Sequence, residues 1–153
     1  MKLQLCRMIA SLLYLGFVPG MPGTYGSILT ALVYYSVYRL GGYIVPGFHL
    51  GAVCLITLAG VLISAEIGRS IGKEDPSFII IDEAAGQLLT FLLVPVTGWN
   101  IFLGIVAFRT FDIWKPYPIR KLERLGKGVG VMADDLLAGV YGCIVLHIIN
   151  LLL

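Results

Sequence analysis

The run FHLGAVCLITLAGVLISA at residues 48–65 carries no charge, and no charged side chain occurs between Arg39 and Glu66. A run of roughly 18 or more apolar residues is typical of a helix that crosses a membrane, because about 20 residues span the hydrocarbon core. The whole chain has the same character. Of its 153 residues, 58% are hydrophobic and 13% are charged, whereas soluble domains carry about 25% charged residues. We therefore expect an all-α integral membrane protein whose residues 1–153 form a single membrane-embedded domain.

The apolar segments on either side of this run predict a helical bundle of about five spans. The N-terminal segment Met8–Val18 is too short to cross a membrane at about 1.5 Å per residue, so we expect a half-helix or an interfacial helix there. No small-residue cleavage site follows it, and we expect this segment to be retained. The predicted spans are Ile28–Tyr43, Phe48–Ala65, Ile79–Val94, Trp99–Trp114 and a last one that opens with Asp134 and Asp135 and runs to Leu153.

The basic residues are concentrated in one predicted loop. Five cations lie from Lys115 to Lys127, and cytoplasmic loops of membrane proteins are enriched in Lys and Arg. If the chain crosses five times, this loop shares the cytoplasmic side with segments 19–27 and 66–75. The turns at 43–47 and 95–98 then face the opposite side.

Several other classes of protein are disfavoured by the composition. The net charge of +2 is too small to indicate nucleic-acid binding. Cys6, Cys54 and Cys143 are far apart in apolar stretches, so neither a disulfide framework nor a zinc-binding spacing is present. His49 and His147 fall inside the spans or on the far side, which disfavours zinc and histidine-based catalysis.

Five carboxylates fall at the cytoplasmic ends of the predicted spans, and they predict a metal site. Carboxylates beside hydrocarbon are energetically costly and usually serve chemistry or transport. Clustered carboxylates repel one another unless protons or cations intervene, and Mg²⁺ prefers such oxygen ligands. Adjacent acids on a helix point about 100° apart, so each adjacent pair sends one carboxylate to the metal and one to another partner. The five are Asp82, Glu83, Asp112, Asp134 and Asp135.

Two cations and a glycine-rich segment predict phosphate binding at the same boundary. Arg109 lies three residues before Asp112, so it can pair with that carboxylate or fork onto phosphate oxygens. Lys115 follows about one turn later. We expect segment 22–27 to be a loop before a helix, where backbone N–H groups approach an anion. A tight turn with a helix N-cap is the simpler interpretation of that segment. Its candidate binding residues are Gly23, Thr24, Gly26 and Ser27.

The remaining charges have simpler explanations. Glu66, Arg69, Lys73 and Glu74 are typical of solvated ion pairs in a polar loop. Glu123 and the cations around it indicate topology and a contact with lipid headgroups.

Four blocks of sequence resemble the phosphatidylglycerophosphatase A family of bacterial membrane phosphatases. They occur in the order found in that family, from residue 19 to about 140, and the third and fourth are the more specific. The blocks are PGTYGS at 22–27, IIDEAAG at 80–86, FRTFDIWKPYPI at 108–119, and GVGVMADD at 128–135 with Ala138-Gly139.

The resemblance implies an all-helical enzyme of the bacterial inner membrane with its active site on the cytoplasmic side. The implied reaction is Mg²⁺-dependent removal of the terminal phosphate from phosphatidylglycerophosphate, an anionic phospholipid, to give phosphatidylglycerol. A lipid phosphate lies at the depth where the predicted carboxylates are, and a basic loop attracts such a headgroup.

Our mechanistic hypothesis assigns Mg²⁺ to Asp82, Asp112 and Asp134, with Glu83 or Asp135 as general base or orienting group. Arg109 and Lys115 stabilise the phosphoryl charge, and the residues of segment 22–27 cradle it. A covalent aspartyl-phosphate route remains open. The alternative function is a proton- or cation-coupled transporter, which predicts polar groups through the whole membrane thickness. The sequence does not predict an oligomeric state.

Overall fold

The computed structural model is all-helical over the residues that it describes, which are 2–73, 75–123, 125–126 and 128–153. Glu74 of the predicted polar loop and Arg124 and Lys127 of the predicted basic loop lie outside these residues. The helices are α1 (Lys2–Ala10), α2 (Pro22–Gly41), α3 (Pro46–Ile71), α4 (Ile81–Thr90), α5 (Gly98–Trp114), α6 (Ile119–Leu122) and α7 (Val129–Leu152), with a 3₁₀ turn at Leu15–Phe17.

Local sequence signals set the ends of the long helices. Pro22 and Pro46 occupy the first positions of α2 and α3, where the missing N–H group costs no helical hydrogen bond. Both helices end at a glycine in the left-handed region, Gly42 with φ of 69° and Gly72 with φ of 74°, a conformation that glycine adopts without a steric penalty. At the start of α5, the Thr97 hydroxyl accepts a hydrogen bond from the Asn100 N–H at 3.1 Å.

The N-terminal helix differs from the one predicted. We expected a short helix at Met8–Val18, whereas α1 begins at Lys2 and ends at Ala10. Leu12, Leu13 and Tyr14 then take positive φ values of 47°, 59° and 70°, which an α-helix does not contain. At nine residues, α1 is about 14 Å long and too short to cross a membrane.

Helices α3 and α7 are long and apolar enough to cross a membrane. Leu55, Leu58 and Leu62 on α3 are each more than 60% exposed. An exposed apolar stripe of this kind matches a hydrocarbon environment better than water. These two helices indicate a membrane protein, as the apolar run at 48–65 predicted.

Helix α4 lies at the centre of the bundle and packs against α2, α3, α5 and α7. Its contact with α7 is the closest, because two glycines face each other there. A Cβ added to Gly86 would lie 2.5 Å from the Asp135 carbonyl oxygen, and one added to Gly139 would meet the Gly86 carbonyl oxygen. This approach brings the acidic first turn of α4 beside Asp134 and Asp135 of α7.

The predicted span Ile79–Val94 forms a helix only over the ten residues of α4, which is about 15 Å long. The chain continues without helix to Thr97, and residues 93–97 line one cavity with Tyr43 and Pro46 of the α2–α3 turn. Phe91 and Val94 are 1% and 6% exposed. Irregular backbone is tolerated at membrane depth when protein surrounds it.

Side chains from other helices bind the carbonyl groups at the end of α4. His49 Nε2 lies 2.9 Å from the Leu88 oxygen, and His147 Nε2 lies 3.1 Å from the Leu92 oxygen. The Tyr34 hydroxyl donates to the Phe91 oxygen at 3.4 Å. Leu88 and Phe91 also accept turn hydrogen bonds from the Phe91 and Val94 N–H groups, and the side-chain contacts supplement these bonds where the helical pattern ends.

Candidate active site

A cavity of about 370 Å³ lies where the first turns of α2, α4 and α7 meet the last turns of α5. Every carboxylate that the sequence predicted for the site lines it, as do Arg109 and Lys115. The lining residues are Met21, Pro22, Gly23, Asp75, Ser77, Ile79, Asp82, Glu83, Arg109, Asp112, Ile113, Lys115, Val131, Asp134 and Asp135.

Three carboxylates form the tightest group in this cavity. Each of Asp82, Glu83 and Asp135 offers an oxygen that lies within 4.8 Å of the oxygens offered by the other two. Asp82 and Asp135 are 8% and 4% exposed. The Glu83 N–H donates to Asp82 Oδ1 at 3.0 Å, which fixes one carboxylate at the first turn of α4.

Arg109 lies between this group and Asp112. Its Nη1 is 2.7 Å from Asp112 Oδ2, one turn along α5, and 3.9 Å from Glu83 Oε1. The Arg109 Nε is buried and has no hydrogen-bond partner in the described part of the chain. The guanidinium therefore keeps donor capacity for an oxyanion while it neutralises its carboxylate neighbours.

Gly23 in the first turn of α2 closes one wall of the site. A Cβ at this position would collide with Glu83 Oε1 and lie 2.8 Å from Arg109 Nη1. The N-terminal turn of a helix also carries free N–H groups and a partial positive charge that favour anions. Glycine here lets α2 approach the Glu83–Arg109 pair.

Lys115 bridges two carboxylates on the other side of the cavity. Its Nζ is 2.7 Å from Asp134 Oδ2 and 2.5 Å from Glu123 Oε1. Burial alone lowers the pKa of Lys115, but hydrogen bonds and charge interactions with Asp134 and Glu123 outweigh burial and raise that pKa above its ordinary value. Lys115 therefore remains a cation throughout the physiological pH range.

The predicted loop at 22–27 is instead the start of α2, because the proline at position 22 begins the helix. Of its four candidate residues, Gly23 lines the cavity. Gly26 packs against Ile80. The hydroxyl of Ser27 is buried and donates to the Gly23 carbonyl at 2.9 Å, and neither Thr24 nor Ser27 is among the cavity-lining residues.

Three polar residues of this site were not predicted from the sequence. Glu123, interpreted as a lipid-headgroup contact, binds Lys115. Asp75 and Ser77, between α3 and α4, line the cavity. A signal for Asp75 existed, because it is an acid close before the Asp82–Glu83 pair, but the loop around it resembled an ordinary solvated segment.

The donor set fits a hard divalent cation. Six carboxylates, Asp75 included, line the cavity with two cationic side chains, so negative charge remains in excess. Glu83 Oε2, Asp134 Oδ1 and Asp135 Oδ2 are buried oxygens without a hydrogen-bond partner among the described residues. Buried acceptors of this kind need a cation, a proton or water. The tight group is Asp82, Glu83 and Asp135, whereas Asp112 and Asp134 of the predicted ligand set are paired with Arg109 and Lys115.

These features define a helical protein with an acidic site that also presents cations suited to a phosphate group. Residues 8–150 match the phosphatidylglycerophosphatase A family, and the chain belongs to that family. It is a phosphatase, as its resemblance to that family predicted. No solved structure matches the chain.

Three curated relatives cover most of the chain. The chain is 32% identical to phosphatidylglycerophosphatase A of Escherichia coli over 137 residues, which are 88% of this chain and 77% of the relative. It is 34% identical to the Haemophilus influenzae protein of the same name over 145 residues, 91% of this chain and 87% of the relative. It is 37% identical to a putative phosphatidylinositol-3-phosphatase of Bacteroides thetaiotaomicron over 137 residues, 87% of this chain and 86% of the relative.

Proposed function

We propose that this phosphatase hydrolyses the terminal phosphate of phosphatidylglycerophosphate with the aid of Mg²⁺, giving phosphatidylglycerol and inorganic phosphate. The observation that carries the proposal is the group of Asp82, Glu83 and Asp135, whose oxygens lie within 4.8 Å of one another in the cavity that also holds Arg109. A phosphomonoester needs positive charge around its oxygens as the transition state forms. The cavity offers Arg109, Lys115 and an acidic group able to hold a metal.

Asp82, Glu83 and Asp135 would hold the Mg²⁺ ion. When bound, the metal supplies charge neutralisation at the phosphate and makes water a better nucleophile. This ligand set differs from the Asp82, Asp112 and Asp134 set of our sequence hypothesis, because Asp112 and Asp134 each bind a cationic side chain.

The remaining residues bind and orient the phosphate. Arg109 donates to its oxygens from the Nε and Nη groups, and Asp112 holds the guanidinium in place at 2.7 Å. Lys115, positioned by Asp134, adds a second positive charge. Free N–H groups at the start of α2, beside Gly23, face the same anion.

Proton transfer requires a carboxylate oxygen that is free to accept a proton. Glu83 and Asp135 each keep one buried oxygen without a partner in the described residues, and one of them accepts the proton of the attacking water. The bond between phosphorus and the headgroup oxygen breaks, and that oxygen is protonated to give the alcohol. An aspartyl-phosphate intermediate is the second route, and trapping a phosphorylated enzyme during turnover would establish it.

The identity of the lipid headgroup that carries the phosphate is a separate part of the proposal. The Bacteroides relative carries the name of a phosphatidylinositol-3-phosphatase, and both lipids present a phosphomonoester on a hydroxylated headgroup. We propose phosphatidylglycerophosphate as the preferred substrate, on the names of the other two relatives. A higher kcat/KM for phosphatidylinositol 3-phosphate would reverse this assignment.

We also propose a five-span topology with the cavity on the cytoplasmic side of the bacterial inner membrane and α1 as a non-crossing helix. In this arrangement the third crossing is α4 followed by the irregular segment 91–97. The cations after α5 support the orientation. The transporter alternative is not favoured, because the five carboxylates predicted for the site meet in one cavity at one end of the helices.

Phosphate release by purified protein in detergent tests the activity, and a chelator with Mg²⁺ add-back tests the metal. We expect Asp82→Asn and Asp135→Asn to lose activity by about 100-fold or more, and also to lose the rise in Tm that Mg²⁺ causes in the parent protein. Asp112→Asn and Asp134→Asn should lose activity but keep that rise. Glu66→Gln on α3, which is not among the cavity-lining residues, is the matched control. Activity that survives full chelation would disprove the metal assignment.

A further inference from the structure

The exposed residues that line the cavity are of two chemical kinds. Met21 and Ile113 are apolar and are 57% and 64% exposed. Asp75 and Ser77 are polar and exposed. A water-soluble phosphate ester would need only the polar kind, whereas a lipid with a charged headgroup needs both.

The two exposed apolar residues, Met21 and Ile113, lie close to the phosphate-binding groups. Ile113 follows Arg109 by four residues on α5, so both side chains project from the same helix face. Met21 directly precedes the first turn of α2, where Gly23 faces the Arg109–Glu83 pair. The two apolar side chains therefore flank the charged wall of the cavity from two helices.

Two exposed aromatic side chains follow Ile113 closely in the sequence, at the end of α5 and just after it. Trp114 and Tyr117 are 67% and 76% exposed. Trp and Tyr concentrate at the boundary between hydrocarbon and headgroups. The end of α5, where Ile113 and these rings occur, thus matches the depth of a lipid's glycerol backbone.

We infer that the substrate lipid enters the cavity sideways from the membrane, between the start of α2 and the end of α5, and that Met21 and Ile113 contact its glycerol and upper acyl chains. This inference rests on the proposed function. The charged headgroup enters beside Arg109 while the acyl chains remain in the bilayer. Met21 and Ile113 are thus residues that distinguish a lipid phosphate from its soluble headgroup.

Kinetics on two forms of the substrate test this route. The double variant Met21→Gln, Ile113→Gln keeps the side-chain size but removes the apolar contact. We expect its KM for phosphatidylglycerophosphate in mixed micelles to rise about tenfold, as expected for losing apolar contacts of this size. Its kcat/KM for the deacylated headgroup, glycerophosphoglycerophosphate, should change less than about twofold by the same reasoning. Leu62→Gln on α3, at a side chain 63% exposed, should change neither value.

Other outcomes separate the possible failures. Equal losses on both substrates would mean that these two residues shape the cavity itself, and the inference would be wrong. No loss on either substrate would mean that the lipid enters elsewhere. If the parent protein hydrolyses neither form, the proposed function fails, and the entry route fails with it.

Crosslinking gives a readout that needs no turnover. A photoreactive phenylalanine analogue replaces Ile113 or, as the control, Leu62, in vesicles of phosphatidylcholine with a trace of radiolabelled phosphatidylglycerophosphate. We expect labelled lipid to attach preferentially at position 113, and unlabelled phosphatidylglycerophosphate to compete with it. Equal labelling at the two positions would overturn the inference.

Discussion

Gly23 shows how much of the proposed chemistry depends on the absence of one side chain. Its Cα lies against Glu83 and Arg109, and these two charged groups come from different helices. The first turn of α2 thereby lies against Arg109 and Glu83, and Glu83 is one of the three clustered carboxylates. At this scale, the site is made by contact between residues that are far apart in the sequence.

Replacing Gly23 with alanine should reduce activity without unfolding the protein. The added Cβ meets the ends of two flexible side chains rather than backbone, so Glu83 and Arg109 shift while the helices stay in place. Displacing such groups by about 1 Å costs roughly 10- to 100-fold in rate. Steady-state kinetics with a Tm measurement checks this. Gly51→Ala, where nothing lies within 4 Å of the new Cβ, is the control, and full activity in Gly23→Ala would disprove the role.

Lys115 and its two carboxylates allow a second test at the residue scale. Glu123 is 46% exposed at its side chain and Asp134 is 8% exposed. An exposed ion pair contributes about 0–1 kcal/mol, so Glu123→Gln should lower kcat/KM by at most about fivefold. Asp134→Asn removes the buried partner and should cost far more. Comparable losses in the two variants would show that Glu123 is as important as Asp134 for placing Lys115.

At the scale of the elements, α4 determines the site because it is short and closely packed. The sequence predicted its acidic first turn, but it did not predict that this helix lies at the centre of the bundle. The sequence did not predict its end at Thr90, because that end is stabilised by His49, Tyr34 and His147 from three other helices. Apolar residues continue to Val94, so the sequence pattern favours a helix up to that residue. Hydrogen bonds between distant residues leave no periodic pattern in the sequence that would predict the earlier end.

The glycine contact between α4 and α7 predicts a stability effect that is separate from catalysis. In Gly139→Ala the new Cβ meets the Gly86 carbonyl, which is backbone and cannot rotate away. Overpacking of this kind costs about 1–3 kcal/mol. We expect a lower Tm in detergent than for Gly51→Ala in α3, whose Cβ enters open space. An unchanged Tm would mean that α4 and α7 separate easily.

At the scale of the whole molecule, the sequence predicted that the acidic side chains lie together, but it did not predict which of them form ion pairs with basic side chains. Interfacial carboxylates are rare, and their positions at the ends of apolar segments predicted one acidic cavity. Which of them bind Arg109 or Lys115 depends on helix rotation and on loops such as the one that carries Glu123. The helical period of 3.6 residues, which is all that the sequence pattern supplies, determines neither the rotation of a helix nor the conformation of a loop. The sequence therefore predicted five candidate metal ligands, and the three carboxylates that lie closest together, Asp82, Glu83 and Asp135, are among them.

The five-span topology predicts how the turns at the two ends of the bundle are labelled. Residues 93–97 share a cavity with Tyr43 and Pro46, so the irregular segment after α4 should carry the chain across the membrane. Single cysteines at positions 43, 98 and 117, with Cys6, Cys54 and Cys143 replaced by serine, test this. A membrane-impermeant maleimide should label positions 43 and 98 from outside intact spheroplasts. It should label position 117 only in inverted vesicles, because the five-span topology places the basic segment after α5 on the cytoplasmic side. If position 98 reacts on the same side as 117, the segment from α4 to residue 97 turns back within the membrane, and the chain does not cross there.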